Sequence, residues 1–159
     1  MLTISARLLE YIKNNKEKAF LLLVLVSFFI FGIYLRLESL EVVHINEWNT
    51  RDFDRDFNLI DGNYVPLAGP ESTQTGRLPG PFLYFLLAIP LLFKYSYESI
   101  FVFNFLLNAL SLVMIFLIVR KFFGYYSAII STILLAINPM HVDMVSFPIN
   151  PAFIFPFIL

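Results

Sequence analysis

The chain contains no cysteine, which removes disulfides, thiolate nucleophiles and cysteine-based zinc sites together. Charge is scarce: Asp, Glu, Lys and Arg make up 14% of the 159 residues, against about 25% in soluble domains. With a formal net charge of −1 there is no cationic surplus of the kind that neutralises nucleic-acid phosphates, so no nucleic-acid partner is expected. No glycine-rich phosphate cradle is present, which removes a nucleotide-binding loop. Ionisable side chains nearly vanish within residues 100–119 and 125–137, where a transporter would carry its ion pathway.

What is present is apolar. Hydrophobic residues make up 58% and aromatics 18% of the chain, and the mean hydropathy is +0.75. This composition predicts an all-α integral membrane protein with several transmembrane helices. Residues 1–18 place Leu2, Ile4, Leu8, Leu9 and Ile12 at helical spacing among basic residues, which reads as a cytoplasmic amphipathic segment on the membrane surface. Residues 19–35 form the first apolar run. At about 1.5 Å per residue it covers most of a hydrocarbon core of about 30 Å. With no small-residue cleavage site before Arg36, it reads as a signal anchor. Arg7, Lys13, Lys16 and Lys18 then place the N-terminus in the cytoplasm of a cell-membrane protein.

Residues 36–80 are the exception to the apolar pattern and are expected to form a large extracytoplasmic loop. Eight of the twelve acidic residues lie here: Glu38, Glu41, Glu47, Asp52, Asp54, Asp56, Asp61 and Glu71. Residues 46–59 have helical character, with Glu47 and Arg51 at i,i+4 and Phe53, Phe57 and Leu59 supplying a partial apolar face. Asp61-Gly62-Asn63 breaks that helix, and the prolines and glycines from Pro66 to Pro81 keep the remainder irregular.

Beyond the loop, residues 81–93 are apolar but short and interrupted by Pro90. If they only dip into the outer leaflet, Arg120-Lys121 falls in the cytoplasm, as the positive-inside rule prefers; a full crossing would put the pair outside. The half-inserted arrangement places residues 138–150, with His141 and Asp143, on the same outer face as Glu47 and Asp52. Residues 100–119 and 122–137 are expected as full spans, and a last apolar run begins near Pro151. That run carries to Leu159 without a polar exit, so the sequence reads as the N-terminal portion of a longer protein.

The chemistry-bearing candidates sit in the loop. Glu47 has the placement of a general base, or of an oxygen ligand for a divalent metal. In the string Asp52, Asp54, Asp56, helical geometry puts Asp52 and Asp56 on one face and turns Asp54 away. The same string also fits a solvated face paired with Arg51 and Arg55. Arg51, Arg55 and Arg77 have the planar fork suited to phosphate. Tyr84, Tyr125 and Tyr126 fit an interfacial aromatic belt.

Taken together these residues resemble the lipid-linked-sugar glycosyltransferases with a multi-span fold, in particular the bacterial dolichyl-phosphate-mannose-protein mannosyltransferase-like group that includes the aminoarabinose transferases of lipid A. The resemblance runs through Asn46-Glu47-Trp48 after the first span, the Asp61 to Pro70 stretch, Gly80-Pro81-Phe82-Leu83-Tyr84, Arg120-Lys121-Phe122-Phe123-Gly124, Asn138-Pro139-Met140-His141-Val142 and Asn150-Pro151. Many relatives carry an Asp-Glu pair where this chain has Asn46-Glu47. The resemblance implies a polyprenyl-phosphate-linked sugar as donor, membrane lipids as surroundings, and inverting transfer at the extracytoplasmic face. It further implies Glu47 as the catalytic carboxylate with Asp52 as its alternate, and a binding surface drawn from Arg51, Arg77, Tyr84, His141 and Asp143. It leaves the divalent metal open. A non-enzymatic membrane module, acting through the loop alone, is the competing expectation.

Overall fold

A computed structural model describes residues 16–42, 45, 47–69 and 80–146. These residues form six helices and no strand. The all-α class follows from long runs of Leu, Phe, Ile and Val without the alternation of a half-buried strand.

Helix α1, Lys16–Glu41, has 26 residues and carries on past the apolar run that predicts it. Helix α4, Tyr97–Phe123, has 27. Each is roughly 40 Å long at 1.5 Å per residue, and both are long and apolar enough to cross a membrane. Hydroxyls inside the apolar stretches return to the helix backbone. Ser27 Oγ donates to Leu23 O at 2.9 Å and Thr132 Oγ1 to Ala128 O at 2.7 Å, so neither hydroxyl is an unsatisfied donor within its apolar helix. Glu98 in the first turn of α4 and Arg120 and Lys121 in its last both oppose the local end of the helix dipole.

Gly124 ends α4 with φ +88°. Nothing lies within 4 Å of where its Cβ would be, so the requirement for glycine here is conformational. The chain reverses at once into α5, Tyr125–Ala136. That helix is shorter than the full span predicted over residues 122–137: its 12 residues reach roughly 18 Å, against about 30 Å of hydrocarbon. The glycine turn trims one end. Asn138-Pro139 closes the other by starting α6, Pro139–Asp143, where the Asn138 side chain accepts from the His141 N–H at 3.1 Å and proline takes the first helical position.

Helices α4 and α5 form an antiparallel hairpin, and α1 packs against it parallel to α5. Tyr126 Oη donates to Glu17 Oε1 at 2.9 Å near the starts of α5 and α1. Gly32 meets Ala136 near their ends, where a Cβ on Gly32 would stand 2.8 Å from the Ala136 Cβ. Glycine at this position lets the two backbones approach.

Helix α2, Glu47–Ile60, and helix α3, Phe82–Leu91, cover the end of the bundle where α1 finishes and α4 begins. Their shared core contains Phe53, Leu83, Leu87, Ile100 and Phe101, with Leu40 of α1 packed against it. Residues 42 and 96 therefore lie at the same end of the bundle. Helix α3 is ten residues long, roughly 15 Å, and does not cross the bundle. Helix α2 ends at the Asp61-Gly62-Asn63 break, where Gly62 takes φ +73° and the Asn63 N–H donates to Asn58 O at 2.9 Å.

The two ends differ in charge. Lys16, Lys18, Arg120 and Lys121 lie where α1 starts and α4 finishes, whereas Asp52, Asp54, Asp56, Asp61 and Glu98 lie at the α2/α3 end.

Candidate functional site

Helix α2 turns a polar face inward. Asn49, Asp52 and Asp56 follow at steps of three and four residues, which stack on one side of a helix. They are 3%, 8% and 0% exposed. The solvated-face reading of this string fails for that pair. Phe53 sits beside them on the core side, 1% exposed, and anchors the helix on Phe101 and Tyr97, with ring centroids 6.0 and 5.8 Å away. This anchor turns Asp52 and Asp56 toward α3.

Helix α3 answers with Tyr84, fully buried. Asp52 Oδ1 accepts from Arg51 Nε at 3.0 Å, from Arg51 Nη2 at 2.9 Å and from Tyr84 Oη at 3.3 Å. Arg55 Nη1 donates to the same phenolic oxygen at 2.9 Å. A carboxylate, a phenol and two guanidinium groups are thus joined in one network. The bond to Tyr84 holds the Arg55 guanidinium above its ordinary pKa against the opposing effect of burial, with smaller help from the charges of Tyr84, Tyr64 and Asp52. Tyr84 acts here as a bridging hydroxyl between α2 and α3, beyond the belt role read from sequence.

Asp56 behaves differently. Neither of its carboxyl oxygens has a hydrogen-bond partner. Burial, reinforced by the charge of Asp52, pushes its pKa up to about 9, so Asp56 carries a proton at neutral pH while Asp52, one turn away, is held by Arg51.

Glu47 occupies the first turn of α2, where a negative charge is favoured, and is exposed. Asp54 is exposed on the opposite side of α2 from Asp52 and accepts from Tyr97 Oη at 2.9 Å. Arg77 lies outside the described residues. Among the described residues no group of three or more His, Asp or Glu side chains is gathered as a metal centre would require.

No family model, curated protein or solved structure matches the chain. The chemistry of the site therefore rests on these side chains.

His141 belongs to a second polar cluster, built around an arginine that sequence reasoning passed over as the end of the first span. Arg36, fully buried, donates from Nε to Asn108 Oδ1 at 2.6 Å, from Nη1 to Gly32 O at 2.7 Å and Ala136 O at 2.9 Å, and from Nη2 to Leu135 O at 3.3 Å and His141 Nδ1 at 2.5 Å. These five bonds match the five N–H groups of a guanidinium. The cation also faces the carbonyl end of α5, where the helix dipole is negative. A single arginine inside an apolar helix was the available signal for this site.

The network fixes the state of His141. Arginine has no acceptor, so His141 Nδ1 must accept and the ring proton lies on Nε2. Nε2 then donates to Ser111 Oγ, 3.0 Å away, and that hydroxyl donates to Asn108 O at 2.6 Å. A neutral histidine whose free lone pair is taken by a guanidinium has no acceptor left for a substrate proton. Residues 138–150, with His141 and Asp143, are expected from sequence on the same outer face as Glu47 and Asp52. The His141 side chain, 3% exposed, is held by Arg36 of α1 and Ser111 of α4, and Asn108 Nδ2 donates to its backbone oxygen at 3.1 Å. Asp143 is exposed at the end of α6.

Proposed function

We propose that the chain carries the catalytic loop of an integral membrane glycosyltransferase, which moves a sugar from a polyprenyl-phosphate donor to an acceptor at the extracytoplasmic face. The observation that carries this reading is the network of Asp52, Arg51, Tyr84 and Arg55, with Glu47 exposed in the first turn of the same helix, at the bundle end opposite Lys16, Lys18, Arg120 and Lys121. The positive-inside rule assigns the basic end to the cytoplasm and the α2/α3 end to the outer face of the plasma membrane. The N-terminus is then cytoplasmic, α3 lies in the outer leaflet, and the spans form a polytopic arrangement.

A lipid-phosphate sugar would present its anomeric carbon at that outer face. The acceptor oxygen attacks this carbon from the side opposite the phosphate, the bond from carbon to phosphate oxygen breaks, and the configuration inverts. Glu47, exposed in the first turn of α2, takes the acceptor proton. Arg51, Arg55 and Arg77 stabilise the negative charge on the departing lipid phosphate. Asp52 orients Arg51 through two N–H bonds and is the alternate base. Tyr84 ties that assembly to α3, so the charged groups sit on a rigid support.

The test is sugar transfer by the full-length protein in membranes loaded with a polyprenyl-phosphate sugar. Glu47→Gln is expected to lower transfer at least a hundredfold at unchanged abundance, the typical contribution of a general base being about 10² to 10⁴. Transfer at the wild-type rate in that variant would reassign the base.

A further inference from the structure

We propose that the groove between the outer side of α2 and the start of α4 binds the sugar ring of a neutral glycan, the acceptor of the transfer reaction. Only the acceptor role rests on the function proposed above; the binding does not.

The groove is wide open on one side and offers about 770 Å³, within the span of about 300–1,000 Å³ usual for small-molecule sites. Its surface is aromatic and rigid. Phe57 packs edge-to-face on Tyr95 and Tyr97, with ring centroids 4.6 and 4.9 Å apart. The hydroxyls of both tyrosines are tethered as well, Tyr95 Oη to Asp61 Oδ2 at 2.7 Å and Tyr97 Oη to Asp54 Oδ1 at 2.9 Å. Even so, Tyr95 is 53% and Tyr97 40% exposed. Rings that are locked at one end and open on the other form a preorganised apolar platform.

An independent anomaly lies in the same wall. Ser96 is the N-cap of α4 and lines the groove, yet its side chain makes no capping bond, although serine is favoured there because its oxygen accepts from the first turn. Its Oγ is buried without a hydrogen-bond partner. A buried hydroxyl left unspent becomes available to a ligand when the serine side chain turns about χ1 toward the groove it lines.

Charge selects the ligand class. Asp54, Asp61 and Glu98 bring three negative charges; Lys94 is paired with Glu98, and the N-terminus of α4 adds about half a positive charge. The surplus is negative, so an anion is repelled, and Asp54 and Asp61, which already accept the tyrosine hydroxyls, stand as acceptors for further hydroxyl donors. A pyranose meets every feature. Its C–H face lies on the tyrosine rings, its hydroxyls donate to the Asp54 carboxylate, and one of its oxygens accepts from Ser96.

The position of the groove gives it a use. Glu47, Asp54 and Asn58 follow at seven and four residues and fall on one stripe of α2. Glu47 stands roughly 10 Å along the axis from Asp54 at 1.5 Å per residue. A glycan seated on the tyrosines and laid along this stripe brings a terminal hydroxyl to Glu47.

The experiment uses the whole protein in detergent micelles with two probes, diacetylchitobiose and maltose, read by saturation-transfer NMR. The same protein and variants are then assayed for transfer from a polyprenyl-phosphate sugar to the disaccharide that binds. At least one probe is expected to receive saturation. Asp54→Asn and Tyr95→Ala are each expected to weaken it about tenfold, equivalent to about 1.4 kcal/mol, and to raise the acceptor KM about tenfold with kcat within twofold. Both changes are on the exposed side of their elements, and unaltered melting confirms the fold. No saturation of either probe, equal saturation in the variants, or displacement of a bound disaccharide by choline would overturn the sugar site. Loss of binding in the variants with no transfer by any form would keep the site and remove the transferase reading. Transfer with an unchanged acceptor KM in both variants would keep the transferase and remove the site.

Discussion

Asp56 provides the sharpest quantitative test of the α2/α3 packing. Its carboxyl is fully buried and lacks a hydrogen-bond partner, and its folded pKa of about 9 stands above the ordinary 3.8. Because the folded value is raised, the folded chain holds one more proton than the unfolded chain between these two pH values. Stability from this group is fully present below about pH 3.8 and is lost as pH rises toward 9. One pKa unit corresponds to about 1.4 kcal/mol, so from pH 5 to pH 8 Asp56 alone removes on the order of 4 kcal/mol. At about 2–4 °C per kcal/mol for a chain of this size, that is roughly a 10 °C fall in Tm. Asp56→Asn retains the shape but cannot titrate, and its Tm is expected to stay flatter over the same range by that amount. Asp56→Leu removes the polar group altogether and is expected to be at least as stable as wild type at pH 8, since an unpaired buried polar group is unfavourable. Thermal melts of the purified protein in one detergent at pH 5, 6, 7 and 8 give the comparison; other titrating groups are common to all three forms and cancel. Parallel curves for wild type and Asp56→Asn would refute the buried, unpartnered carboxyl.

Three further outcomes follow from the packing. Arg36→Gln leaves the carbonyls of Leu135 and Ala136 and the Asn108 oxygen short of donors, with an expected loss of about 3–5 kcal/mol. Arg36→Lys is not expected to restore it, because three ammonium N–H groups cannot reproduce a five-donor fork; both are read as melting temperature and membrane abundance, and wild-type stability in Arg36→Gln would contradict the cluster. Gly32→Leu drives a side chain into Ala136, already 2.8 Å from a bare Cβ, and is expected to separate α1 from α5, seen as lost protease resistance. A cysteine at Phe123, exposed beside the basic pair, is expected to resist an impermeant thiol reagent in intact cells while one at Asn58 reacts; the reverse pattern would invert the proposed topology.

The local breaks were legible in the chain because they depend on neighbours in sequence. Asp61-Gly62-Asn63 ends α2 through a positive φ, and Asn138-Pro139 supplies a cap and a first helical residue to α6; the break at Gly124 falls inside the span expected over residues 122–137 and shows only in its backbone conformation. The separation of Asp54 from Asp52 and Asp56 was legible too, since 3.6 residues per turn fixes which positions share a face. Periodicity left open which way that face turns. The apolar anchor Phe53 and the hydroxyl of Tyr84 decide it, and they come from different helices.

The sequence by itself determined the helical class, the long apolar helices over residues 19–35 and 100–119, and the concentration of carboxylates in one segment, because each depends on composition and short-range period. Tertiary structure decided that Asp56 is a buried acid, that His141 is a neutral link to Arg36, and that Tyr95 and Tyr97 face Asp61 and Asp54 across a groove. Each of these depends on partners thirty to more than a hundred positions apart. Proton affinity and hydrogen-bond roles are set by the surroundings of a side chain, and those surroundings exist only when the helices have packed.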